Sequence, residues 1–367
     1  MSKTKHFIDQ IGLPRLIIGL FFIILIIASV PLGLPMDAVF SDILRRWLMY
    51  SILVLAMVPG IQCGISLNFG VSLGIVCGLL GATTAVELSS QNEGVGPWAA
   101  LGIALVIGVV LAAVLGVLYG LLLNRVKGSE MTVSTYVGFS IIALSNIIWL
   151  TLPFKSGELI WPLQGIGLRN VINLEGSFGG LLSDPTVTST QPFPLNYLAF
   201  DIGGLTIPIG LILVFALCSF FVWIFFQSKA GVAMSAAGEN ELFTKAAGIS
   251  VDRMRILGTA VSTILGAVGI IIYAQTFGFL QLYNAPLMMS FQAVASILIG
   301  GASTMRAKIS HVAIGALLFQ GIMSTALPVV NKLMPNSMLP EVVRIIVSNG
   351  IILYALSKTR GGHQHEK

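Results

Sequence analysis

The segment AAGENELFTKAAGI, residues 236–249, lies between two long apolar runs, 203–227 and 257–280. It carries its own helix punctuation. Asn240 is a good N-cap, Glu241 falls in the first turn where an acid suits the helix dipole, and Gly248 is a natural C′ residue. Between them ELFTKAA makes roughly two helical turns, and a helix that short is marginal in water unless something packs on it. Leu242 and Ala246 are four apart, and with Phe243 and Ala247 they form an apolar side. Such a side fits a groove on a soluble partner, with Glu239, Glu241 and Lys245 at the rim. The same pattern also fits a surface helix packed on its own bundle.

The surroundings of this segment decide the class. The chain has 367 residues, of which 56% are hydrophobic and 10% charged, and its mean hydropathy is +0.93. Soluble domains carry about 25% charged residues, so the chain reads as a polytopic membrane protein. Lipid admits helices of about 20 apolar residues or closed barrels, and the apolar runs are too long for barrel strands. The fold class expected is therefore all-α, a helical bundle of about ten spans near 14–35, 47–65, 67–88, 97–124, 131–152, 203–227, 257–280, 286–303, 309–330 and 339–357. The whole chain, 1–367, reads as one transmembrane domain. The first run, after MSKTKHFIDQIGLPR, shows no small-residue cleavage pattern and reads as a retained helix.

Charge orients the bundle. With both termini cytoplasmic, fourteen Lys and Arg fall on the inner side and five on the outer, the bias expected of membrane proteins. In that orientation 228–256 is a cytoplasmic loop and 153–202 an extracytoplasmic segment, rich in proline and glycine. Trp161 and Phe193 in it are of the type found at membrane interfaces. The compartment implied by this bias is the plasma membrane, the inner membrane where there are two.

One span is interrupted. PGIQCGISLNFG, 59–70, breaks the apolar pattern with Pro59, Gly60, Gly64 and Gly70, and predicts a discontinuous helix lining a cavity. A route for a small polar solute needs hydroxyl, amide and aromatic groups. Its candidates are Gln62, Ser66, Asn68 and Phe69 at the break, Ser134, Thr135 and Asn146 in the fifth span, and Gln275 and Gln292 further on. For Ser134 and Thr135, bonding to their own helix is the competing expectation. Acids at span edges are Glu87, Asp201 and Glu341, few for an ion-coupled carrier.

Other chemistries find little support. Cys63, Cys77 and Cys218 fit neither a zinc site nor a disulfide framework, and no metal site is expected. His311 sits at a span edge, where packing or hydrogen bonding outranks proton transfer. There is no GxxxxGK[ST] segment for nucleotide, no catalytic constellation, and no basic cluster to suggest nucleic acid.

AGENELFTKAAGISVDRMRILGTAVSTILGAVGIII resembles the cytoplasmic coupling loop and following span of bacterial ABC importer permeases for ribose and other simple sugars, whose relatives carry nucleosides and branched-chain amino acids. The match falls on Ala236, Gly238 and Asn240, then on Ala247, Gly248 and Ile249. SFQAVASILIGGASTMRAKISHVAIGALLFQGI is similar to the family's Gly-Gly-x-Ser turn at Gly300, Gly301 and Ser303. CGISLNFG is comparable with its Gly-Ile-Asp-Leu-Ser-x-Gly segment, with Ser66 where an acid commonly stands and Asn68 where a serine is usual. The resemblance covers about 47–357. It implies that residues 238–248 dock into a separate cytoplasmic ATP-binding subunit, which uses ATP and Mg while this chain binds no cofactor. It also implies an extracytoplasmic solute-binding protein and a second permease subunit, identical or homologous. The cargo implied is a simple sugar or related small polar solute. Alternatives are a nucleoside or branched-chain amino acid permease, an ion-coupled secondary transporter, and a structural membrane component.

Overall fold

The computed structural model describes residues 13–92, 94–160, 167–333, 342 and 345–354. Trp161, Glu341, both tails and part of the last expected span lie outside the described residues. In chain order the helices are α1 (Leu13–Ser29), α2 (Met36–Leu55), α3 (Met57–Gln62), α4 (Val71–Gln91), α5 (Pro97–Arg125) and α6 (Glu130–Thr151). There follow α7 (Pro185–Thr188), α8 (Ile209–Gln227), α9 (Lys229–Glu239), α10 (Glu241–Ala246), α11 (Val251–Phe277), α12 (Ala285–Ile299) and α13 (Ile309–Leu333), then α14 (Ile345–Tyr354). Among the described residues, seven stretches are long and apolar enough to cross a membrane, α2 and α3 counting as one; α1, α12 and α14 are shorter apolar helices at three further expected positions.

The bundle forms around α11, which packs on α5, α4 and α2. Small residues make this closeness possible. Ala104, Gly108, Ala112, Gly116 and Gly120 recur every fourth position of α5, and all are buried. A Cβ on Gly116 would stand 2.9 Å from the Cα of Ala260, and one on Gly120 2.8 Å from that of Ile256. Without hydrophobic drive between helices in lipid, such backbone approach supplies the packing. The opposite side of α5 exposes Val106, Val110, Val114 and Leu118, and α8 exposes Leu213, Leu217, Phe220 and Phe221. Apolar exposure of this extent suits a lipid surround.

Several span boundaries move, and α11 begins at Val251 rather than 257. α1 stops at Ser29 and a turn follows, where the sequence reading continued to 35. α2 begins at Met36 rather than near 47, because the charges of its first turns satisfy one another. Asp42 accepts from Arg45 Nη2 (3.2 Å) and Arg46 Nε (2.8 Å), and the Arg46 guanidinium lies 5.6 Å from the Phe277 ring centroid. The expected sixth span starts at Ile209. Residues 200–207 instead form a hairpin, β2 (Phe200–Ile202) against β3 (Leu205–Ile207), turned by Gly203 and Gly204 at positive φ.

That hairpin belongs to a cap at one end of the bundle. β1 (Val171–Asn173) pairs antiparallel with β4 (Phe279–Gln281) at the end of α11. Leu159, Leu168, Ile172, Leu174, Phe178 and Leu181 are buried together with Ile271 and Leu280. Glu87, 7% exposed, accepts from the backbone N–H groups of Lys155 (2.8 Å) and Ser156 (3.0 Å) and so ties the cap to α4. Asp201 accepts from Thr206 within the hairpin.

Candidate functional site

At the end opposite the cap, α9 and α10 lie across the bundle. Ser228 accepts from Gly231 N–H (3.2 Å), and α9 buries Gly231, Met234 and Ala237 at three-residue intervals. Asn240 then begins α10, its side chain accepting from Phe243 N–H at 2.9 Å. The helix ends in a Schellman pair: Gly248 N–H donates to Lys245 O (3.0 Å) and Ile249 N–H to Thr244 O (3.1 Å), with Gly248 at φ 78°.

These caps fix which way α10 faces. Thr244 is 1% exposed and donates to Asn240 O (2.8 Å), whereas Leu242 is 80% and Phe243 68% exposed. Lys245, Ala246, Ala247 and Gly248 are exposed as well. Glu241 pairs with Lys245 (2.7 Å) and Lys127 (3.3 Å), and Glu239 with Arg306 (3.4 Å). Lys245 and Lys127 hold the Glu241 carboxyl below its ordinary value, and Asp252 with Glu241 holds Lys127 above its own.

Gly238 has a different task. A Cβ there would stand 2.1 Å from the carbonyl oxygen of Gln62 and 2.8 Å from the amide nitrogen of Gly64. The backbone entering α10 therefore rests on the backbone leaving α3. α3 ends as α10 does, with Gly64 N–H donating to Ile61 O (3.1 Å), Ile65 N–H to Gly60 O (3.2 Å), and Gly64 at φ 81°. Gln62 Nε2 donates to Ala307 O (2.6 Å), which attaches the α12–α13 loop to the same point. In that loop Gly301 is left-handed, and Ser303 Oγ accepts from Met305 N–H (3.3 Å) and Arg306 N–H (3.0 Å).

From Gly64 the chain runs irregularly to Gly70. Ser66 has φ 69°, the one non-glycine residue at positive φ among the described residues. Such a conformation persists only where its surroundings hold it. Asn68, fully buried, does much of the holding: its Oδ1 accepts from Gly70 N–H (3.0 Å) and Tyr119 Oη (2.8 Å), and its Nδ2 donates to Ser262 Oγ (3.4 Å). Ser262 donates in turn to Ala56 O (2.7 Å). Phe69 lies 5.1 Å from Phe291, which is 6.3 Å from Phe139 on α6. Ser72 and Ser290 share a hydrogen bond of 2.7 Å beside them.

The other route candidates are dispersed. Ser134 and Thr135 both donate to Met131 O within α6 (2.8 Å each). Gln292 accepts from Tyr50 Oη (2.8 Å). Gln275 lies towards the cap, its Oε1 accepting from Thr276 Oγ1 and its Nε2 buried without a partner. Asn146 Oδ1 is also buried without one. Among the described residues, no hydrogen bond joins Asn146, Gln275 or Gln292 to the Asn68 cluster. A hollow of about 330 Å³ at the cap end is lined by Ser41, Asp42, Arg45, Asp184 and Thr206 among others, and by none of the route candidates.

Sequence reasoning missed Tyr119, Ser262, Lys127, Asp252, Glu130 and Arg255. A signal existed for Tyr119, a hydroxyl flanked by Gly116 and Gly120 in a helix otherwise apolar up to Leu123. For Lys127 and Asp252 the signal was opposite charge in two loops assigned to one side.

Comparison with known proteins found no match among curated proteins and none among solved structures. A protein-family model described as "Branched-chain amino acid transport system / permease component" matches residues 39–356. The chain is thus a multi-pass membrane protein of the branched-chain amino acid and simple sugar ABC permease family, the permease component of a transport system.

Proposed function

We propose that this chain is the translocation subunit of an ATP-driven importer, taking a simple sugar or related small polar solute from an extracytoplasmic binding protein into the cytoplasm of a bacterium. In this reading ten spans place both termini and α10 in the cytoplasm and the cap outside. Leu242, Phe243 and Ala247 enter a cleft of the ATP-binding subunit, and a second permease completes the route. ATP and Mg are used by that separate subunit.

The observation that carries the reading is the aspect of α10. A helix of six residues is capped at both ends and held on one side by Thr244, yet it leaves Leu242 and Phe243 in the open. Exposed aromatic and aliphatic anchors with a charged rim suit a protein groove. Glu87 and Asp201 are occupied by backbone and hydroxyl donors in the cap, which argues against their serving as ion-coupling sites. For the cargo, the partners of Asn68 and Ser72 are amide, hydroxyl and carbonyl groups, which suit an uncharged polyol. The second reading is a nucleoside or branched-chain amino acid as cargo, since the family description names the latter.

The test is ATP hydrolysis in lipid nanodiscs by the chain assembled with its ATP-binding subunit and loaded binding protein, native against Phe243→Ala. Loss of stimulated hydrolysis or of assembly in Phe243→Ala supports the reading. A folded native chain that recruits no ATP-binding subunit sinks it. Uptake of labelled sugar, nucleoside and leucine in the same vesicles then separates the cargoes.

A further inference from the structure

α6 is loosely held for a membrane helix. It packs chiefly on α4 and only lightly on α12 and α5, whereas α5, with a similar buried share, packs closely on both α4 and α11. It also carries Phe139, whose ring faces Phe291 and through it Phe69 of the broken segment. Its first residue, Glu130, is fixed: Oε1 takes Arg255 Nη2 of α11 at 2.5 Å and Oε2 takes Gly128 N–H at 2.9 Å, with the Arg255 side chain 5% exposed. A buried pair of this kind is costly to break from one side.

Three residues earlier stands Lys127. Its Nζ lies 2.6 Å from Asp252 Oδ1 in the first turn of α11 and 3.3 Å from Glu241 Oε1 on α10. Asn124 Nδ2 donates to Asp252 O at 2.9 Å, so the end of α5 shares the same anchor. Lys127 thus touches both the short exposed helix and the helix that holds Glu130. A helix with few buried contacts shifts without opening the core.

We propose that α6 is a gate of the route, and that Lys127 is a positioning residue which passes displacement of α10 to it about a pivot formed by Glu130 and Arg255. This deepens the reading of α10 as the docking helix and rests on it. A pull on Leu242 and Phe243 moves Glu241 on the same turn. Lys127 follows, and the short α5–α6 connection turns α6 and its Phe139 against Phe291.

The experiment uses the complete assembly in nanodiscs with loaded binding protein. Lys127→Gln keeps the complex together, its thermal midpoint unchanged and ATP hydrolysed, while solute moved per ATP falls by about fivefold or more, the lower range of an allosteric coupling. Lys127→Arg, which keeps a charge between Glu241 and Asp252, retains at least half of the native yield. In a Cys218→Ala background, nitroxides at Tyr136→Cys on α6 and Val114→Cys on α5 change separation when nucleotide binds the native chain, and keep it in Lys127→Gln. Native yield per ATP in Lys127→Gln, or an unchanged label separation in the native complex, overturns the linkage while α10 remains the docking helix. A native chain that recruits no ATP-binding subunit brings both down.

Discussion

The two ends of the bundle solve one problem in opposite ways. Each is a polar stretch between apolar spans, but the cap buries Leu159, Leu168, Leu174 and Phe178, whereas α10 exposes Leu242 and Phe243. The cap was free to fold inward because Glu87 and the end of α11 offer it backbone partners: Leu174 N–H donates to Gly278 O and Gly180 N–H to Gln275 O, at 2.9 and 2.8 Å. α10 is held through Thr244 and the Gly238 backbone, which leaves its apolar residues for another surface. One end is finished by this chain; the other asks for a partner.

Truncating the cap gives the largest expected effect. Phe178→Ala removes a fully buried ring and costs about 3–5 kcal/mol by the usual core values, read as a lowered thermal midpoint in detergent. An unchanged midpoint would mean that the cap is laid on the bundle rather than folded with it. Glu87→Gln comes next. It removes the charge that receives two backbone N–H groups, for a loss of about 1–3 kcal/mol. Proteolysis within 153–202 is the sharper readout, because release of the cap should precede global unfolding.

At the other end the same kind of change is nearly silent. Phe243→Ala shifts stability by no more than about 0.5 kcal/mol, as exposed positions do, although ATP hydrolysis in the assembly is lost. A large stability change would make α10 a packing helix after all. Acidity gives the smallest effect. The bridge between Lys127 and Glu241 needs both charges. Glu241 has a depressed pKa, below its ordinary 4.5, so what it contributes is present at neutral pH and lost only as pH falls through that lower value. Lys127 is raised above 10.5, so its share is lost only as pH rises past that higher value. Coupling between about pH 6 and 9 should not vary on account of this bridge. A step within that range would point to another group.

Much of the α10 end was legible because helix punctuation is local. Asn240, Glu241 and Gly248 act within one or two turns of themselves, and the structure puts a capping hydrogen bond and a left-handed glycine where those residue types ask for them. The break was visible for the same reason through its glycines, but it is shorter than 59–70: Pro59 and Gly60 lie within α3, and the irregular stretch runs from Cys63 to Gly70. Local reading misjudged the start of α2: Asp37, Asp42, Arg45 and Arg46 lower the hydropathy of those turns, and only pairing at three and four residues, with Phe277 above Arg46, makes them helical. It also absorbed a hairpin into a span, because Leu205, Thr206 and Ile207 serve a strand as well as a helix.

Hydropathy, capping residues and the distribution of Lys and Arg are written along the chain, and from them follow the membrane class, the broken span and the bounds of α10. Tertiary structure alone decided what Gly238 rests against, which side of α10 stays bare, and that Asn68 meets Tyr119 and Ser262. Lys127 and Asp252 are 125 residues apart. No pattern along the chain brings such groups within 3 Å, because their meeting depends on how α5 and α11 stack, and that is set by small residues whose only mark in the sequence is the space they leave.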